Sequence, residues 1–230
     1  IDPAVRYRED MESLADAVER HNGTPIAIAY THSHSDHLAD MDLLTEAFDL
    51  PVWASEYTAK SVKCDRILQD GEKLQLGNQE WQVLITPGHH PGHTCFFGEA
   101  GLIAGDMLAG FGTILVPPAT GDMDEYIHQL ARLRDLQPHL AFPSHGPVIA
   151  LPENKFNHYI KHRSARHEKV LEAVTEGLSN LSEIATKAYE DTPNAHPGLA
   201  KDQTLAHLIS HQRQGKVTQD SSGNWYASID

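Results

Sequence analysis

Residues 31–40 read THSHSDHLAD and place His32, His34, Asp36 and His37 within six positions, directly after the apolar run IAIAY. Imidazole and carboxylate together are the donor set of Zn²⁺, Mn²⁺ or Fe, whereas an all-oxygen Mg²⁺ or Ca²⁺ cage has no use for so many histidines. Side chains alternate along an extended segment, so His32 and His34 point to one side. Asp36 and His37 point elsewhere as the backbone turns into a helix, and one short loop can then serve two metal ions. Three later places repeat a polar donor at a strand end: His93 in TPGHHPGHT, Asp106 in IAGDML and His145 in FPSHGP. In a layered α/β domain such ends can gather on one edge of a sheet, where sites tend to form. The expectation is that His32, His34, Asp36, His37, His93, Asp106 and His145 converge on a metal centre.

The elements that must position them can be read from periodicity. Met11, Leu14, Ala15 and Val18 give residues 5–21 a helical repeat, and IAIAY (26–30) is a short continuous apolar run suited to a strand covered on both faces. LADMDLLTEAF reads as helix and PVWA as strand, and GEKLQLGNQEWQVLITP as a hairpin turning at Gly77-Asn78. TCFFG and GLIAGD continue the strands, helix returns at 122–135, and LAFPSHG is a last short strand. Strands and helices interleave over residues 1–150, which predicts a layered α/β domain. Pro152 opens a connecting helix over 151–177. Residues 178–230 follow with helices at 181–190 and 202–214, Gly215 as a C-terminal cap, and a hairpin with Ser-Gly-Asn at its tip. Helix, helix and β-wing in that order suggest a winged-helix module.

The formal charge is −14, and residues 1–150 carry most of it, with 9 Lys/Arg against 22 Asp/Glu. Such a chain repels phosphate polymers at long range, which argues against duplex DNA as a partner unless a local basic patch exists. Two cysteines, Cys64 and Cys95, cannot form a disulfide framework, and a reducing, cytoplasmic compartment is the default. No run approaches the ~18 apolar residues of a membrane span.

With these motifs in hand, the chain resembles the metallo-β-lactamase superfamily. THSHSDH is similar to its T-H-x-H-x-D-H signature and TPGHHPGH to its T-P-G-H-T-x-G-H segment, while the Gly-Asp at 105–106 and Ser-His-Gly at 144–146 match its remaining metal-binding strand ends in order. The resemblance implies an αββα sandwich in which His32, His34 and His93 hold one metal, Asp36, His37 and His145 hold a second, and Asp106 bridges both. Aspartate at 36 and 106 is typical of the branches resembling glyoxalase II, so hydrolysis of antibiotics is not the implied activity. YIKHRSARHEKVLEAV and TLAHLISHQRQGKV resemble helices of a subgroup that carries a C-terminal winged helix and includes the mitochondrial β-lactamase-like endoribonuclease. Members begin with two or three strands ahead of the segment ending in IDPA, which implies that the present chain starts part-way into one sheet.

The implied function is a metal-dependent hydrolase, with two divalent ions (zinc first, Fe or Mn otherwise) generating a bound hydroxide that attacks an ester, thioester or phosphodiester. Asp36 or Asp106 would accept the proton. Arg163 and Arg166, three apart on one helical face, either pair with acids or meet an anionic substrate group. His89 and His90 read as shaping a turn, and His207 and His211 as packing. The resemblance points to single-stranded RNA as substrate, the charge to a small acyl or thioester compound. A mononuclear iron dioxygenase of the same fold and a winged-helix DNA-binding regulator are the rival classes. The C-terminal module is expected to pack beside the long helix and to wall the pocket.

Overall fold

The computed structural model describes residues 1–228. Strand β1 (Ile28–Ala29) is buried on both faces and pairs in parallel with β2 (Val52–Ser55), which pairs in parallel with β3 (Arg66–Leu68). Parallel neighbours require a crossover, and between β1 and β2 it is helix α2 (Met41–Ala47). Asp40 caps that helix, its carboxylate accepting from the Asp42 and Leu43 amides.

A second sheet runs in the order β4 (Lys73–Leu76), β5 (Gln79–Ile85), β6 (Thr94–Gly98), β7 (Gly101–Gly105) and β8 (Ala141–Pro143). Its first four strands are antiparallel, and Gly77 turns the β4–β5 hairpin at φ 61°. β8 joins β7 in parallel because helix α3 (Met123–Asp135) intervenes.

Alternation along the strands divides the core into layers. Val83, Phe96 and Trp81 face Ala29 and Leu68 between the two sheets. Leu84, Cys95, Leu102 and Ala104 face the other way, towards α3 and the long helix α4 (Pro152–Thr175), where Leu130, Leu133, Phe156 and Tyr159 meet them. Helix α1 (Arg8–Arg20) and α2 close the outer face of the first sheet over Val5, Met11, Tyr30 and Val52. The order is helix, sheet, sheet, helix, as expected. β3 had not been anticipated.

Beyond α4 come α5 (Leu181–Ala188), α6 (Pro197–Arg213) and a two-stranded hairpin, β9 (Val217–Gln219) with β10 (Trp225–Ala227). α6 begins five residues earlier than the periodicity indicates, because Pro197 is preorganised for the first helical position. These elements and the end of α4 share a core of Val170, Val174, Ile184, Leu208, Val217 and Trp225. The unit packs on the α/β layers as expected, with Ser210 donating to Asp124 at 2.7 Å and Arg213 paired with Asp122. A cavity of about 590 Å³ beside Asp36, His37 and His145 is lined by Asp2, Trp81 and Phe142, and by no residue beyond 145 among those described. Among the described residues, no helix is long and apolar enough to cross a membrane.

α6 turns His207 and His211 inward, where both are buried. Burial, with the charge of Arg163 next, holds His207 well below the ordinary imidazole value, and burial likewise lowers His211 and His162 to about 4. An unfolded chain takes up these protons near pH 6.5 while the folded chain does not, so stability falls as pH drops from about 6.5 towards 4. The apparent Tm should therefore drop by at least about 3 °C between pH 7 and pH 5. His207→Asn, followed by thermal denaturation monitored by circular dichroism, should flatten that slope.

Candidate metal centre

The loop after β1 is held from below by one carboxylate. Asp2 accepts from the Thr31 amide at 2.7 Å, from the Thr31 hydroxyl at 2.6 Å and from His37 Nδ1 at 2.9 Å. The single Thr31 hydroxyl proton goes to Asp2, so its oxygen accepts from His32 Nδ1, 2.9 Å away. Both rings thus carry a proton on Nδ1, which leaves Nε2 of the neutral His32 ring bare. A third ring is set in the same way: His89 Nδ1 donates to the Leu115 carbonyl at 2.6 Å.

The Nε2 atoms of His32 and His89 converge on His34. His89 Nε2 lies 3.3 Å from His32 Nε2 and 2.9 Å from His34 Nδ1, which is itself 2.9 Å from His32 Nε2. His34 can donate one proton from Nδ1, and it cannot satisfy both lone pairs with it. On the other side, His37 Nε2 lies 3.7 Å from Asp36 and His145 Nε2 lies 3.3 Å from Asp36. Asp106 stands between: Oδ1 is 3.6 Å from His37 and 3.4 Å from His145, and Oδ2 is 3.5 Å from His89. The donor atoms of His32, His34 and His89, of His32, His37 and Asp106, and of Asp36, His37 and His145 form three groups, each spanning no more than 4.8 Å.

Electrostatics follow from burial. Desolvation, then the neighbouring rings, push His32 far down, and burial lowers His34 and His89 as well, so these rings are neutral at pH 7. Burial works against charge on His37 too, but the carboxylates of Asp106 and Asp2 outweigh it and raise that ring to about 10. Burial would raise the Asp106 carboxyl, yet the His37 contact prevails and its value falls below the ordinary carboxylate range. His37 Nε2 and Asp106 Oδ1 are nonetheless buried without a hydrogen-bond partner. Bare nitrogens facing each other and orphaned buried acceptors are costly unless a cation sits among them. Imidazole and carboxylate in this number fit divalent zinc, iron or manganese.

His32, His34, Asp36, His37, Asp106 and His145 therefore come together as expected, and the His93 ring lies 5.2 Å from that of His32 but is absent from the three donor groups. His93 lies beneath the cluster, its Nε2 accepting from the Asp106 amide at 2.9 Å and its Nδ1 donating to Thr86 Oγ1 at 2.8 Å. With both ring nitrogens engaged, it positions Asp106 instead of facing a metal. His89, read from the sequence as a turn residue, occupies the place expected for His93. The available signal was strand placement, since His93 directly precedes buried β6 whereas His89 sits in the exit turn of β5. His90 stays outside the cluster, accepting from the Gly92 amide and standing 3.0 Å from Ser33 Oγ.

Arg163 and Arg166 are not at the site. Arg163 is buried and donates to Gln203 and to the Ile114 carbonyl. Arg166 is buried, pairs with Asp191 at 3.0 Å and lies over the Tyr189 ring. The bland alternative, pairing with an acid, applies to Arg166.

The sequence description of the metallo-beta-lactamase superfamily matches residues 1–145. The "Beta-lactamase-like protein 2 homolog" of Drosophila melanogaster is 28% identical over 228 residues, covering 92% of the chain and 76% of that protein. The chain spans 52% to 58% of several other curated relatives. A beta-lactamase domain protein from Burkholderia ambifaria superposes with TM-score 0.81 at 20% identity, covering 98% of this chain and 82% of that one. A structure described as being in a di-iron-bound form is 30% identical, with TM-score 0.54 over 66% of this chain and 84% of that one.

The contrast between the two histidines gives a direct test by zinc titration against a chromophoric chelator. His89→Ala should weaken the tightest zinc equivalent more than about 100-fold, while His93→Gln, which can still accept from Asp106 and donate to Thr86, should lose at most about tenfold.

Proposed function

Because this chain belongs to the metallo-β-lactamase superfamily, we propose that it is a dinuclear metallohydrolase acting on an acyl ester or thioester. The observation that carries the reading is the set of bare ring nitrogens and buried carboxylate oxygens converging across Asp106. His32, His34 and His89 would hold one cation, Asp36, His37 and His145 the other, and Asp106 would face both. When bound, two such ions (zinc first, iron or manganese otherwise) act as Lewis acids that polarise a substrate oxygen and lower the pKa of water from ~15.7 to about 7. The chain's own part is to fix the donors and to handle the proton. Asp106 is held at its backbone by His93, which fixes the point from which its carboxylate projects. Asp36 is more than half exposed and accepts the proton lost on attack, passing it to bulk water. His145, also exposed, stands on the side from which substrate enters.

The surroundings favour an acyl substrate over RNA. Residues 109–112 meet residues 145–147, the Gly110 amide donating to the His145 carbonyl at 2.8 Å. From this margin Phe111 (77% exposed), Val148 (54%) and Leu151 (68%) offer apolar surface to solvent. Arg163 and Arg166, which a polyanion would need, are buried in the helix junction, and Lys155 leans on the carbonyls of Gly110 and Gly112. The helix–helix–hairpin unit we read as winged-helix-like and as a scaffold, since the buried face of α6 includes His207 and His211.

Purified protein loaded with zinc should retain close to two equivalents and hydrolyse short acyl thioesters. At saturating zinc, Asp106→Ala should lower kcat/KM at least about tenfold more than His145→Ala, because Asp106 serves both positions. Equal losses would remove Asp106 from its place between the cations. Cleavage of single-stranded RNA without acyl hydrolysis would overturn the substrate class and leave the metal centre standing.

A further inference from the structure

The peptide unit between Leu115 and Val116 has one end in the candidate centre and the other in the C-terminal helices. Its carbonyl accepts from His89 Nδ1 at 2.6 Å. Its N–H donates to Gln203 Oε1 of α6 at 3.1 Å. A trans peptide is planar, with C=O and N–H pointing in opposite directions, so fixing one end aims the other. Gln203 is 4% exposed and grips Val116 twice, since its Nε2 also donates to the Val116 carbonyl at 2.9 Å. The amide orientation is unambiguous, because exchanging its oxygen and nitrogen would set donor against donor and acceptor against acceptor. Arg163 of α4, 1% exposed, donates to Gln203 Oε1 at 2.9 Å and to the Ile114 carbonyl. The backbone on both sides of the Leu115 carbonyl is thus held by buried side chains of the C-terminal helices.

We infer that Gln203, braced by Arg163, is a positioning residue that acts through the Leu115–Val116 peptide to hold the His89 proton on Nδ1 and its bare Nε2 towards the centre. A carbonyl only accepts, so a ring that meets it must present N–H there. Withdrawing Gln203 leaves the Val116 N–H and C=O buried without partners, and the peptide must rotate to satisfy them. Rotation takes the carbonyl from His89 and frees its ring to exchange tautomers. The effect on the ring stands by itself; the effect on zinc rests on the reading of His89 as a ligand.

The test compares Gln203→Leu, Gln203→Glu and Ile184→Ala with the wild type. Glutamate keeps an acceptor for the Val116 N–H, the bond that aims the Leu115 carbonyl, and for Arg163, though it sets its second oxygen against the Val116 carbonyl, whereas Ile184 lies in the separate C-terminal core. Long-range ¹H–¹⁵N correlation of the metal-free proteins reads the His89 tautomer. The wild type and Gln203→Glu should show the Nδ1–H form, and Gln203→Leu should lose it. Zinc titration should then show the tight equivalent weakened about tenfold in Gln203→Leu. Ile184→Ala should lower the Tm while leaving both readouts unchanged. An unaltered His89 tautomer in Gln203→Leu, or an equal shift in Ile184→Ala, overturns the inference. If Gln203→Leu does not fold, Gln203→Asn, one methylene too short to reach Val116, is read in its place by the same criteria. A wild type that takes up no zinc would count against the metal centre, and the tautomer comparison would still decide the relay.

Discussion

Three imidazole nitrogens, Nε2 of His32, His37 and His89, are directed into one small region by hydrogen bonds made on the far side of each ring. That constraint organises the rest of the molecule. A histidine becomes a ligand only when its other nitrogen is occupied by something that fixes the tautomer. Here Thr31 does this for His32, Asp2 for His37 and the Leu115 carbonyl for His89. Asp2 serves two of the three, because it also claims the Thr31 hydroxyl proton.

The layered fold supplies these partners from positions far apart in the chain. The strand ends bring the loops together, and close backbone approach makes the fit possible. Gly105 sits at φ 50° immediately before Asp106, and a Cβ there would fall 2.5 Å from His93 Nε2. Gly88, at φ 138°, packs so tightly on Tyr126 that a Cβ would stand 2.4 Å from its Cα. These two glycines turn the chain so that Asp106 rests on His93 and His89 is lifted towards the donors. The helices outside the second sheet take part through the backbone they hold. Tyr159 donates to the Gly112 carbonyl and accepts from the Ala109 amide, so the segment 109–116 is fastened by α4 and α6 along its length.

Much of this could be read from the residues, and the failures have physical causes. THSHSDH concentrates so many donors after an apolar strand that its role needed no tertiary information. Strand ends at Asp106 and His145 followed from periodicity. The choice between His89 and His93 could not be made from local pattern, because it turns on the backbone angle at Gly88 and its packing against a helix more than thirty residues away. Helical spacing placed Arg163 and Arg166 on one face without telling which way that face points. Their neighbours Phe156, Tyr159 and Val170, all buried on the same side of α4, carried that information. β3 escaped because it is three residues long and only Leu68 is buried. α6 was placed late because its first turn holds Pro197 and Gly198, residues that weaken a helical pattern even where they begin a helix.

The central claim is that the orphaned donors are the two halves of one dinuclear centre. Diffraction from crystals grown with zinc, recorded on both sides of the zinc absorption edge, tests it most directly. The account predicts two anomalous peaks, one among His32, His34 and His89 and one among Asp36, His37 and His145, with Asp106 facing both and His93 touching neither. A peak at His93, or the absence of any peak between these side chains at saturating zinc, would contradict it.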